Sequence, residues 1–173
     1  MHYNVLIGRF QPLTNAHVQC CEQAYKQTGN QTILCMVDRE DSKISEKNPF
    51  PTKYFAKVYQ DALKHNKAIA GVHLVKNADI VKISQEAPFE ISGWICGTDR
   101  VPSYSKMVEK YRDQMVVTED FKLIEIARTD EDISATKARK TLENNDKATW
   151  NKITPFSKQW ELFKNQYQTS TKK

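Results

Sequence analysis

Glycine, cysteine, long apolar runs and excess charge are all scarce in this chain. Its 173 residues include five glycines and four cysteines. No apolar run approaches the ~18 to 20 residues that cross a bilayer. The first ten residues, Met1 to Phe10, lack the basic stretch and small-residue cleavage site of a signal peptide. They are expected to form a buried strand in a cytoplasmic protein. Cys20, Cys21, Cys35 and Cys96 form no CxxC pair, and no histidine lies at metal-ligand spacing from them. Free thiols in partly buried segments are expected, with no metal and no disulfide. The net charge is only +5. Much of it sits in a tail where Lys158, Lys164, Lys172 and Lys173 face only Glu161. The rest of the chain is barely basic, which excludes a dedicated nucleic-acid binder but leaves room for a local basic pocket.

What is present is one domain's worth of alternating short apolar runs and longer amphipathic stretches. Strands are expected at Tyr3–Ile7, Thr32–Val37, Val72–Val75, Ser92–Cys96 and Lys122–Ala127. Thr32–Val37 is apolar throughout, as suits a strand covered on both faces. Helices are expected at Asn15–Gln27, with Asn15 as N-cap and Gly29 past its end, and at Pro51–His65 with Pro51 in its first turn. Another starts near Pro102 and carries Tyr104, Met107, Val108 and Tyr111 on one side. Two more, Ser134–Asn144 and Pro155–Tyr167, close the chain. Asp38–Phe50 reads as a lysine-bearing loop. This alternation implies an α/β fold with a parallel sheet of about five strands, wound on both faces, and C-terminal helices. Ligands of such sheets bind outside the carboxyl ends of the strands. Gly8 and Gly97 each follow a strand directly, where a missing side chain allows a sharp turn or a close ligand approach.

Two segments carry chemistry. Gly8-Arg9-Phe10-Gln11-Pro12-Leu13-Thr14-Asn15-Ala16-His17 joins the first strand to the first helix. Thr14 and His17 lie three apart at a helix start, where backbone N–H groups and the positive dipole end favour an anion. His17 can donate hydrogen bonds to phosphate, and Arg9 adds a permanent forked charge. The second segment is Ile133-Ser134-Ala135-Thr136-Lys137-Ala138-Arg139. Ser134 is a good N-cap. Lys137 and Arg139 oppose the dipole of the helix it opens, a cost that a bound anion would offset.

Together the two segments resemble the nucleotidyltransferase superfamily, Rossmann-like enzymes marked by (H/T)xGH and ISxTxxR motifs. Thr14-Asn15-Ala16-His17 matches the first with one departure, and Ile133 to Arg139 match the second fully. The GRFQP opening and Lys47-Asn48-Pro49-Phe50 are most similar to archaeal- and phage-type nicotinamide mononucleotide adenylyltransferases. The likeness covers roughly Tyr3 to Pro155 and is weak between Ala56 and Ser92. It implies a nucleotidyltransferase domain over 1–153, with 154–173 as the closing helix and basic tail of the same domain. The implied reaction transfers AMP from ATP to nicotinamide mononucleotide, giving NAD and pyrophosphate.

The resemblance also implies roles. The ATP triphosphate would lie between two helix N-termini. His17 would stabilise charge as pyrophosphate leaves, and Thr14 would bond at the reacting phosphate. Ser134, Thr136 and Arg139 would hold the β- and γ-phosphates. Gly8, Arg9, Phe10 and Gln11 would form the first nucleotide-binding loop, with Arg9 on the phosphates. Lys47 stands where relatives carry an arginine beside the transferred phosphate. Gly97-Thr98-Asp99-Arg100 would line the sugar and base. Mg²⁺ would arrive bound to ATP. The acceptor is already an anionic phosphate, so in-line transfer needs positioning and charge neutralisation rather than a general base.

Ala16 replaces the motif glycine, and Lys47 lacks the forked geometry of arginine. These departures motivate one alternative, a nucleotide-binding module with weak or no catalysis. Others keep the fold and change the substrates. Thr14-Asn15-x-His17 is similar to phosphopantetheine adenylyltransferase, and Arg128-Thr129 ahead of Ile133-Ser134 to the cytidylyltransferases of glycerol phosphate. The expected partners are a nucleotide and a small phosphorylated acceptor, not nucleic acid or membrane.

Phe156, Trp160, Phe163 and Tyr167 form an aromatic stripe, expected to pack on the domain's own core while permitting a homo-oligomer contact. Trp94 is expected in the core, and the tail past Gln168 is expected to fray. Phe89 is expected to stack on a nicotinamide ring only through the resemblance. Asp79 reads as a loop carboxylate near substrate or metal, or simply solvated.

Overall fold

The computed structural model describes residues 1–38, 43–127 and 134–172. Ile133, Arg128 and Thr129 lie outside the described residues, as does part of the lysine-bearing loop.

Five parallel strands form one sheet: β1 (His2–Gly8), β2 (Thr32–Val37), β3 (Ile69–Val75), β4 (Glu90–Gly97) and β5 (Lys122–Ile126). Their spatial order is β3-β2-β1-β4-β5. The helices are α1 (Asn15–Thr28), α2 (Thr52–Ala62), α3 (Ile80–Glu86), α4 (Val101–Tyr111), α5 (Ala135–Glu143), α6 (Lys147–Ile153) and α7 (Trp160–Thr171).

The largely apolar β2 illustrates the layering. Leu34 and Met36 pack among residues of α1, α2, α5, α6 and α7, while Ile33, Cys35 and Val37 pack among residues of α3 and α4. A strand buried on both faces needs no polar alternation.

Local signals set the helix ends. Gly29 closes α1 in the left-handed region at φ 74, and its N–H reaches the Tyr25 carbonyl. The cap of α1 is Thr14, one residue before the expected Asn15. Asn15 instead sends its side-chain amide to the Lys152 carbonyl. Pro51 is the cap of α2 rather than its first turn.

Two short helices escape the periodicity reading. Asp79 caps α3 by accepting from the Val81 N–H, which makes it a structural carboxylate. Asp146 caps α6 by accepting from the Thr149 N–H. The last helix starts at Trp160, not Pro155, because the chain first makes a short 3₁₀ turn at Ser157–Gln159. Its end does not fray at Gln168. Gln166 and Ser170 both donate to the Pro49 carbonyl, and the helix runs on to Thr171. On α4, Tyr104 and Val108 pack on the sheet, whereas Met107 is exposed.

The aromatic stripe belongs to the domain's own core. Phe163 is fully buried, with Phe50, Phe55, Trp150 and Phe156 around it at centroid distances of 4.9 to 5.1 Å. Among the described residues, no helix is long and apolar enough to cross a membrane.

Candidate active site

The strand order reverses between β1 and β4, and a crevice forms outside their carboxyl ends. A cavity of about 400 Å³ opens there. The ends of β1, β4 and β5 contribute Ile7, Ile95 to Gly97 and Ile126. The first turns of two helices supply Thr14, Ala16 and His17 from α1 and Ser134 and Ala135 from α5. Two helix N-termini thus face one cavity, each offering backbone N–H groups and the positive end of a dipole to an anion. Ser134 holds its own helix start by accepting from the Lys137 N–H at 3.1 Å.

A second cavity of about 150 Å³ shares Ile7, Ile95 and Tyr104 with the first, so the two adjoin. It is walled by Gly8, Arg9, Trp94 and Tyr104, with the two aromatic rings stacked at 4.1 Å and 10°. Arg9 is exposed at its edge.

His17 is fixed from the backbone. The Thr14 N–H donates to its Nδ1 at 3.0 Å, and the Thr14 hydroxyl lies 3.2 Å from the same nitrogen. A nitrogen that accepts from a backbone N–H carries no hydrogen, so the neutral ring holds its proton on Nε2. Thr14 itself is fully buried. It lines the large cavity and serves the helix cap and the imidazole.

The remaining expected residues divide. Gly97 and Arg100 line the large cavity; Asp99 and Thr136 do not, and both are solvent-exposed. Lys47 is exposed in the loop before α2 and lines neither cavity. Phe10 and Gln11 are buried at 4% exposure each and line neither cavity. Gln11 is occupied on both sides of its amide. Its Nε2 donates to the Phe50 carbonyl at 3.0 Å, and its Oε1 accepts from the Phe50 N–H at 2.9 Å. Both side chains are engaged in building the loop.

Gly8 is packed closely from the same loop. A Cβ there would stand 3.0 Å from the Phe10 ring, so the close approach is by Phe10. Arg139 is half-buried and donates from Nη1 to the Gln11 carbonyl at 2.6 Å. Burial lowers its pKa, while nearby Tyr167 and Glu46 act to raise it; it remains a cation. The strap joins the two sequence motifs across 128 positions.

Phe89 stands at the amino end of β4, packed against Tyr3 and His73. That is the opposite end of the sheet from His17, so it cannot stack on a ligand in this crevice.

Sequence reading also missed residues. Gln19, Cys20 and Gln23 continue the α1 wall of the large cavity. Their spacing from Ala16 was the available signal, since positions three and four apart share a helix face. Cys96 lines the same cavity from the end of β4. Burial raises its thiol pKa, aided by Glu125 and Asp99, so it is a protonated neutral surface.

The profile of the cytidylyltransferase-like family matches residues 5–141. The chain belongs to that family. A comparison with curated proteins finds no match.

Solved structures share the cytidylyltransferase-like fold at low identity. Nicotinic acid mononucleotide adenylyltransferase of Plasmodium falciparum, complexed with NaAD, aligns at TM-score 0.58 and 16% identity over 96% of this chain and 98% of that one. A bifunctional NMN adenylyltransferase/ADP ribose pyrophosphatase of Francisella tularensis aligns at TM-score 0.64 and 16% identity, over 97% of this chain and 52% of that one. A structure of the same bifunctional protein with AMP and a manganese ion aligns at TM-score 0.57 and 18% identity. This chain spans about half the length of the Francisella protein. At these identities the likeness shows the fold.

Proposed function

We propose that this cytidylyltransferase-like protein is an adenylyltransferase that joins ATP and nicotinamide mononucleotide into NAD, releasing pyrophosphate. The observation that carries this reading is the pair of adjoining cavities at the sheet's switch point. The larger has two helix N-termini and His17, suited to a triphosphate. The smaller has Arg9 beside a Trp94–Tyr104 stack, suited to a phosphorylated aromatic acceptor. The relatives' ligands, NaAD in one and AMP with manganese in another, motivate the adenine and pyridine choices.

In this reading the acceptor phosphate enters past Arg9 and attacks the α-phosphorus of ATP in line. Charge builds on the leaving pyrophosphate. The Nε2–H of His17 and the N-termini of α1 and α5 neutralise it, with no proton abstraction needed. Ser134 and Thr136 belong to the α5 turn that would hold the β- and γ-phosphates. Arg139 joins them from its place on the Gln11 carbonyl, and Lys47 approaches from its exposed loop. Gly97, with Asp99 beyond it, borders the nucleoside.

Among the described residues, no group of three or more His, Cys, Asp or Glu gathers to hold a metal. In this reading Mg²⁺ arrives on the triphosphate oxygens and adds charge neutralisation there.

The test is pyrophosphate release from ATP and Mg²⁺ with nicotinamide mononucleotide, nicotinic acid mononucleotide or phosphopantetheine, and from CTP with glycerol phosphate. His17→Ala is the control. Release with the pyridine nucleotides alone, lost in the variant, supports the reading. Release with CTP but not ATP overturns it.

A further inference from the structure

We infer that Phe10, held in place by Tyr59, is the positioning residue that sets the His17 imidazole. The idea rests on the proposed role of His17 and adds to it.

Phe10 is held through its backbone. Its backbone sits in the left-handed region at φ 53, one of two described non-glycine residues to do so. Such a conformation is disfavoured for a large side chain and persists only where surroundings impose it. Tyr59 imposes it. This α2 residue is fully buried, stacked on Phe156 at 5.1 Å, and its hydroxyl donates to the Phe10 carbonyl at 2.6 Å. The same oxygen accepts from the Leu13 N–H at 3.4 Å, so one hydroxyl spans the loop from strand to helix.

The ring of Phe10 then packs over Gly8, 3.0 Å from where a Cβ would stand. From there it meets the His17 ring at 5.0 Å and 86°. Aromatic pairs favour this perpendicular geometry, which fixes the plane of one ring against the other. The Thr14 N–H fixes Nδ1, and Phe10 fixes the ring plane. An imidazole held at both points presents its Nε2–H in one direction. Phe10 lines neither cavity, so it acts through His17 rather than on a ligand.

The experiment is ¹⁵N NMR of histidine-labelled protein, with His17 assigned through His17→Gln, alongside steady-state kinetics. The variants are Phe10→Leu and Tyr59→Phe. In the wild type, His17 should show the pure Nε2–H tautomer. Both variants should show a mixture, with kcat down about tenfold or more from misplacement of the donor. The nucleotide KM should stay within about twofold, since uniform binding is retained.

Folded variants that keep the pure tautomer overturn the inference. So does a mixed tautomer with unchanged kcat, or a rise in KM alone. Should Phe10→Leu fail to fold, Phe10→Met and Tyr59→Phe decide by the same two readouts. The NMR arm needs no substrate. A wild type without transferase activity whose tautomer still shifts in the variants would remove the proposed function and leave the positioning intact.

Discussion

Replacing Gln11 by leucine tests how the site is held together. The side chain is nearly the same size, and the backbone carbonyl that receives Arg139 is untouched. What is lost is the amide pair with Phe50, at 3.0 and 2.9 Å. Phe50 is fully buried, so water cannot replace either partner. A buried backbone group left without a partner costs about 1–3 kcal/mol, and here one N–H and one carbonyl are orphaned together. Leucine recovers part of this through greater apolar burial, about 1–2 kcal/mol. The expected net loss is centred on about 2–3 kcal/mol, measured by urea unfolding with an unchanged slope. Native-state hydrogen exchange should also show the Phe50 amide losing its protection. A Gln11→Leu protein within about 0.5 kcal/mol of wild type, the size of an ordinary surface substitution, would refute the reasoning.

Further outcomes follow from the same structure. Phe163→Ala should cost about 3–5 kcal/mol in the same unfolding assay, because its ring is the hub of the aromatic core. In the native protein Cys20, half-buried on the cavity wall, should react first with a thiol reagent and be slowed by ATP; equal reactivity of all four cysteines would contradict this. Burial pushes Cys21 and Cys35 up to about 12, so both should react only on unfolding. Ala16→Gly with Lys47→Arg should raise kcat/KM in the pyrophosphate assay, and no change would remove these two departures as a cause of weak catalysis. Hydrogen bonds from the Thr149 hydroxyl and N–H hold the Asp146 carboxyl below its ordinary range. Its small contribution is therefore present above the unfolded carboxylate pKa and lost as pH falls through the lower folded value. Asp146→Asn should flatten that part of the Tm–pH curve.

The sheet was legible because strands buried on both faces leave continuous apolar runs, as Thr32–Val37 does. Helix ends marked by strong local chemistry, such as Gly29 and Ser134, were legible too. The short helices α3 and α6 were not, because each spans only seven residues, too few to show a period. Within the site, His17, Gly97 and Ser134 line one cavity. Phe10 and Gln11 looked like ligand contacts because they lie inside the motif. Their partners, Tyr59 and Phe50, are far away in sequence, and only the folded chain reveals them. Phe89 failed for a simpler reason: position along the chain does not say which end of a strand a residue occupies.

The strand order β3-β2-β1-β4-β5 has a consequence for how the chain comes into being. β1 is made early, yet it sits at the centre and needs β4 to cover its second edge. Until that distant strand is synthesised, one side of β1 presents unsatisfied backbone groups. The loop with His17 meanwhile waits for Tyr59 and Arg139. Nascent chains halted before β4 should therefore be sticky and dependent on chaperones, although they already contain the whole first motif.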